Sequence, residues 1–291
     1  TYSYNPANIL ASSNINGGEP TTYSYDANGN LTESSAGLSL RYNTLNQTTS
    51  MTTPGGTETS FTYAGTDQTQ RVSASTSDGA LTFANGLLGV SHQTGTGADA
   101  TLFFARDNRG NLVASSPEAG SYAYYLFDGT GSVIGLTDAT GHLAATYAYD
   151  PYGAITASTG EAVNPYRFAS GYLDASTGYT KFGARYDDTT LGRWTQQDPV
   201  GGSLGNPNSV CRYLYAGDDP VNRTDPSGQC SVLTALAATV VALGSFITVA
   251  ALVAALPEVT FAAILSNPEL VGAGITAFGS YTAEILCLFG L

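Results

Sequence analysis

Few side chains in this sequence could do chemistry, and most of them fall within residues 185–228. Two Asp-Pro-x-Gly units lie there, Asp198-Pro199-Val200-Gly201 and Asp225-Pro226-Ser227-Gly228, with a further Asp-Pro at Asp219-Pro220 between them. Aspartate carboxylates serve as general acids or bases where a fold brings them together. Read locally, each unit is a turn, because Asp-Pro starts it, proline fixes φ and glycine closes it. Arg167, Lys181, Arg185, Arg193, Arg212 and Arg223 place six of the ten basic residues in or just before this stretch. They are expected to pair with Asp187, Asp188, Asp218 and Asp219 on a polar surface, with a ligand site as the alternative. Cys211, Cys230 and Cys287 give neither a disulfide framework nor a metal-ligand spacing, although Cys230 could pair with Cys287. His92 and His142 lie upstream in what read as solvated turns. No cofactor and no metal is expected.

The elements that must position these groups are β-strands. Only 11% of the 291 residues are charged, against roughly a quarter in an ordinary soluble domain. Ser, Thr, Gly and Asn fill the difference, as suits a secreted or cell-surface β protein. The net charge of −13 argues against a nucleic-acid partner, which needs a basic face. From Thr1 the chain is already in a repeating style, which predicts a piece of a longer chain with any signal peptide upstream. The clearest unit is Tyr23-Ser24-Tyr25-Asp26-Ala27-Asn28-Gly29-Asn30-Leu31. Tyr-x-Tyr puts both rings on one face of a strand, and the Asx side chain with glycine supplies the turn. Tyr42, Tyr63, Phe83, Phe104, Tyr125 and Tyr147 follow at intervals of 20 to 22 residues. Such a period predicts stacked hairpins that share one sheet. A plain sandwich or propeller is the rival, and the even spacing makes it the weaker one.

The Tyr-Asp-x-x-Gly-Asn-Leu units resemble YD (RHS) repeats, and residues 166–228 resemble the RHS-repeat-associated core domain. The matching pieces are Tyr166-Arg167-Phe168, Asp174 with Thr177-Gly178, Gly183-Ala184-Arg185-Tyr186, Gly192-Arg193-Trp194 and Gln197-Asp198-Pro199. Tyr213-Leu214-Tyr215, Asp219-Pro220-Val221-Asn222 and Asp225-Pro226-Ser227-Gly228 complete the run. The resemblance implies a mainly β fold, a spiralling hairpin shell with an inward-turning core domain, as in bacterial polymorphic toxins, Tc-toxin C subunits and teneurins. It divides the chain into a partial shell (1–165), a core domain (166–229) and a variable C-terminal segment (230–291). That segment would be cargo enclosed by the shell, and an immunity protein a further partner.

The resemblance also implies an aspartic autoprotease, carried residue by residue onto Asp198 and Asp225 with Arg185 as the supporting cation. Hydrolysis by two carboxylates needs one ionised to activate water and one protonated to polarise the peptide carbonyl. Arg185 would position a carboxylate or an oxyanion, and its placement must spare the proton-donating partner. The implied cut is Gln229–Cys230. Cleaving members carry leucine or another apolar residue where this chain has Gln229, a departure that bears on cleavage and not on the fold.

Residues 230–291 contain no Lys, Arg, Asp or His, and their only acids are Glu258, Glu269 and Glu284. Residues 231–256 are uncharged and exceed the ~20 apolar residues that span a bilayer as a helix. Pro257 and Asn267-Pro268 punctuate the segment, so a short apolar helical hairpin is expected. It lacks the groups of a nuclease, a deaminase or an ADP-ribosylating enzyme. A payload that inserts into a target membrane fits best. A membrane anchor, or an insert packed inside the shell of a non-cleaving structural or adhesion protein, is the alternative.

Overall fold

The computed structural model describes residues 1–15, 17–97, 101–118, 120–199 and 210–229. The expected helical hairpin at 230–291 and Cys230 itself lie outside these. Residues 1–198 and 211–229 form one compact unit, and it is almost wholly β.

Sixteen strands make one antiparallel sheet in which each strand pairs with the next in sequence. The odd-numbered strands are β1 (Tyr2–Tyr4), β3 (Thr21–Tyr25), β5 (Ser39–Tyr42), β7 (Glu58–Tyr63), β9 (Gly79–Gly86), β11 (Leu102–Arg106), β13 (Ala123–Phe127) and β15 (Leu143–Tyr149). Between them run β2 (Leu10–Ser13), β4 (Leu31–Ser34), β6 (Thr48–Thr52), β8 (Arg71–Ser75), β10 (Gly89–Gly97), β12 (Leu112–Pro117) and β14 (Val133–Thr137), and β16 (Ile155–Gly160) ends the series. The sheet is open, with β1 and β16 as its edges.

The six evenly spaced aromatics fall one each on β5, β7, β9, β11, β13 and β15, and all six join one apolar cluster. The intervening strands answer with smaller aliphatics on the same face: Leu31, Met51, Ala74, Leu112, Val133 and Leu136. One hairpin thus supplies one large ring and one or two aliphatic side chains. Each such burial contributes about 1.5–3 kcal/mol, and a hairpin alone cannot keep its face dry.

The turns explain the Asx-x-x-Gly-Asx spacing. Asp26 Oδ1 accepts the N–H groups of Asn28 (2.9 Å) and Asn30 (2.8 Å), and Gly29 N–H donates to the Asp26 carbonyl at 3.0 Å. Gly29 takes φ +78°, which glycine adopts without steric cost. The same bonds recur from Asp107, Asp128, Asp138 and Asp150. The pairing register slips one residue ahead of these turns, at Ser24/Tyr25, Ala105/Arg106, Leu126/Phe127 and Ala148/Tyr149. This is the bulge of a hairpin whose turn ends in a left-handed residue. His142 lies in such a turn with its side chain 84% exposed. His92 does not: it sits in β10, stacked on Phe103.

Residues 166–198 and 211–229 pack onto the aromatic face. A second antiparallel sheet runs β17 (Tyr172–Leu173), β18 (Thr180–Phe182), β19 (Arg185–Asp188) and β20 (Arg193–Trp194). Tyr166, Tyr172, Tyr179 and Tyr186 enter the same cluster as the repeat aromatics. Tyr63 and Tyr186 share a hydroxyl hydrogen bond of 2.9 Å, and Tyr213 Oη donates to the Gly29 carbonyl at 2.6 Å. At Gly29 a Cβ would stand 1.7 Å from the Gln197 side chain, so glycine serves both the turn and the approach of the following segment.

Candidate functional site

The functional side chains hang from β19 and the two loops that fold back over it. β19 pairs with β18 and β20, so Phe182 stands opposite Arg185 and Trp194 opposite Asp187. Asp198 follows β20 and is fixed through its backbone: its N–H donates to the Arg212 carbonyl (2.8 Å), and Arg212 Nε donates to its carbonyl (3.0 Å). Asp225 follows the 3₁₀ turn Tyr215–Asp218 and opens a tight turn closed by the Gly228 N–H on the Asp225 carbonyl at 3.2 Å. The Ala184 N–H holds that turn down through the Ser227 carbonyl at 2.9 Å.

One guanidinium nitrogen gathers the two carboxylates. Arg185 Nη2 lies 3.0 Å from Asp198 Oδ2 and 3.2 Å from Asp225 Oδ2. Its Nε donates to the Gly228 carbonyl, and its Nη1 to the Arg212 carbonyl at 3.3 Å. All three side chains are buried, and the Arg185 guanidinium lies 4.2 Å from the Trp194 ring centroid. Burial pulls the Arg185 pKa below its ordinary value while Asp198 and Asp225 oppose that shift. Asp225 Oδ1 accepts from Ser227 Oγ (3.1 Å) and from the Gln229 N–H (3.2 Å). A carboxylate therefore touches the residue whose carbonyl the expected cut would attack. The cluster has the parts for carboxylate-assisted hydrolysis: two buried carboxylates, a fixed cation and a peptide segment held against one of them.

Sequence reasoning misplaces several basic residues. Among the described residues only Arg223 makes a surface pair with an expected aspartate, Asp219, at 3.6 Å. Arg185 apart, aromatic faces and backbone carbonyls take the others: Arg167 covers Tyr147 at 3.9 Å and Arg193 lies between Tyr4 and Tyr213. Lys181 is buried and donates to the Gly183 carbonyl. Asp187 is fully buried, and among the described residues neither of its oxygens has a hydrogen-bond partner. Its place on the Arg185 face was readable from the i, i+2 spacing. A buried pair that sequence reasoning misses is Arg71–Asp174, at 2.5 Å, with the Arg71 guanidinium 4.5 Å from the Phe83 centroid. The alternation of β8 is the signal that could have shown Arg71 facing the core.

Burial, reinforced by Arg71 and opposed by Asp174, pushes the Lys181 amine down to about 7. Between there and the ordinary lysine value of 10.5 the unfolded chain binds the extra proton, so stability rises with pH across that window. Lys181→Met is expected to flatten the rise and to help most at and below pH ~7. Urea midpoints measured across the window would read this; an unchanged slope would contradict it.

The Teneurin YD-shell family model matches residues 90–221. The tRNA3(Ser)-specific nuclease WapA of Bacillus spizizenii is 31% identical over 211 residues, which cover 70% of this chain and 9% of that protein. Salivary gland surface protein 1 of Aedes aegypti is 34% identical over 118 residues, 40% of this chain and 3% of that protein. Double-stranded DNA deaminase toxin A of Burkholderia cenocepacia is 30% identical over 136 residues, 45% of this chain and 9% of that protein. The chain thus spans less than a tenth of these relatives' lengths. The crystal structure of TcdB2-TccC3-Cdc42 contains a chain with the same fold, at a TM-score of 0.53 and 19% identity, covering 78% of this chain and 15% of that one.

Proposed function

Because this chain belongs to the RHS/YD-repeat shell proteins, we propose that it is the C-terminal part of a toxin-like protein whose β shell encloses the polypeptide beyond Gln229. In this reading Arg185, Asp198 and Asp225 cut the chain once, between Gln229 and Cys230. The division into shell (1–165), core domain (166–229) and C-terminal segment (230–291) belongs to the same proposal. So do a secreted or cell-surface location and an immunity partner. The carrying observation is the single Arg185 nitrogen that holds both carboxylates, with Asp225 also on the Gln229 N–H.

Two of the relatives have nuclease or toxin in their names, which supports a payload. The composition of 230–291 lacks the groups for nucleic-acid chemistry, so membrane insertion is the activity proposed for it. Among the described residues no helix is long and apolar enough to cross a membrane, and the segment in question lies outside them. The competing reading is a non-cleaving structural or adhesion protein with an anchored or packed tail. The surface-protein name of the Aedes relative favours it, as does the fact that the Asp219 and Asp225 units are satisfied as turns.

Purified chain and its Asp198→Asn and Asp225→Asn variants separate the two. Intact-mass spectra are expected to show two fragments for the parent and one uncut chain for each variant. One uncut mass in all three would leave the structural reading. Leakage of lipid vesicles that depends on 230–291 is expected of a membrane-active payload; its absence would make the segment an inert insert.

A further inference from the structure

The Asp198–Arg185–Asp225 arrangement has a chemical gap. Dividing acid and base roles between two carboxylates requires one to hold a proton, yet one cation nitrogen contacts both, and a guanidinium accepts no proton. That shared contact by itself gives neither member the acid's role.

Asp187 stands beside this cluster. It is two residues from Arg185 on β19 and therefore on the same face. Its cross-strand partner is Trp194, the ring on which the Arg185 guanidinium lies. Asp187 is 0% exposed, and neither its carboxyl oxygens nor the Trp194 Nε1 has a hydrogen-bond partner among the described residues. Burying an ionised carboxylate without donors costs far more than burying a neutral acid.

We propose that Asp187 is the proton-holding member of the cluster, a third carboxyl that supplies the acid function which Asp198 and Asp225 cannot divide between them. The inference rests on the self-cleavage reading. In the step it implies, ionised Asp225 takes a proton from water as the water oxygen bonds to the Gln229 carbonyl carbon, and the Asp187 proton goes to the carbonyl oxygen. Asp225 then passes its proton to the Cys230 nitrogen as the C–N bond breaks, and a hydroxyl of the diol returns a proton to Asp187. The products are a Gln229 carboxylic acid and a Cys230 amine, and both aspartates end as they began.

Electrostatics point the same way. Burial pushes the Asp187 carboxyl well above the usual carboxylate range; Asp188 and Asp225 add to this and Arg185 opposes it. Tyr215, the other titratable group against it among the described residues, is itself held neutral by burial. With its folded pKa raised, Asp187 lets the fold bind more protons than the unfolded chain above the ordinary carboxylate range. Stability therefore falls as pH rises through that window, up to the folded pKa.

Infrared spectra of the full chain are expected to show the C=O stretch of a protonated carboxyl at neutral pH, lost in Asp187→Asn and kept in Asp198→Asn and Asp225→Asn. The parent cleavage rate is expected to fall at high pH. Asp187→Asn is expected to cut at least ~100-fold more slowly and to lose that limb. Parent-like cutting by Asp187→Asn with an unchanged profile would overturn the inference and leave the self-cleavage reading standing. Absence of the band from the parent would overturn it without recourse to a variant. A parent chain that stays uncut would remove both.

Discussion

Arg185→Met is expected to destabilise the compact unit by about 3–5 kcal/mol, because removing one partner of a buried ion pair leaves the other charge uncompensated. The loss is compounded here. Arg185 serves Asp198 and Asp225 together and also donates to the Gly228 and Arg212 carbonyls. Methionine keeps much of the packing against Trp194 and supplies none of those donors. Trp194 is the chain's one tryptophan and lies beneath the guanidinium, so its fluorescence reports the unfolding of this cluster in denaturant. If the penalty comes from stranded charge, the triple variant Arg185→Met/Asp198→Asn/Asp225→Asn should recover a large part of it. A single-variant loss below ~1 kcal/mol would place the ion pairs in the range of exposed ones and contradict the buried arrangement.

Gly183→Ala is expected to have a comparable effect through a different cause. Gly183 holds φ +33°, and a Cβ there would lie 2.1 Å from the Ser227 carbonyl oxygen and 2.6 Å from its carbon. Both are backbone atoms, so no rotamer change relieves the contact. The same Ser227 carbonyl accepts the Ala184 N–H. Alanine must either unseat the 225–229 turn or distort β18 and β19. A loss of about 3 kcal/mol or more is expected, from left-handed strain together with the clash. A shift of ~1 Å in the turn is enough to slow a positioned reaction about 100-fold, so self-cleavage should fall with it. Gly178→Ala is the control, since Gly178 also has positive φ but no atom within 4 Å of a Cβ. An equal loss in both variants would leave strain alone as the cause, and a stable, cutting Gly183→Ala would contradict the close approach altogether.

How much could be read in advance differs between shell and site. The hairpin repeat was legible because its determinants are local. One aromatic every 20 to 22 residues marks every second strand, and Asp26 or Asp107 bonds N–H groups only two and four residues away. His92 breaks the rule because the β9–β10 turn is the pair Leu87-Leu88 between Gly86 and Gly89, with Asn85 paired inside β9 and His92 inside β10. The site was legible only through resemblance, since two Asp-Pro turns explain themselves without each other. What brings Arg185 to both aspartates is a loop return of 13 residues in one case and 40 in the other. Arg71 meets Asp174 across 103 residues. Charge composition suggested surface pairs, but a sheet face lined with tyrosine and phenylalanine offers guanidiniums a buried seat that no local pattern records. The same blindness hid Asp187, whose isolation depends on Trp194 and Tyr215 closing around it.

The most direct measurement is N-terminal sequencing of any small fragment that accompanies the purified chain. The account predicts a fragment beginning Cys230-Ser231-Val232-Leu233, present in the parent and missing from Asp225→Asn. A fragment that begins at Pro226 or Pro199 would reveal spontaneous hydrolysis of an acid-labile Asp–Pro bond, and a chain with Thr1 as its only N-terminus would show no cut at all. Either result would contradict the assignment of Arg185, Asp198 and Asp225 to self-cleavage.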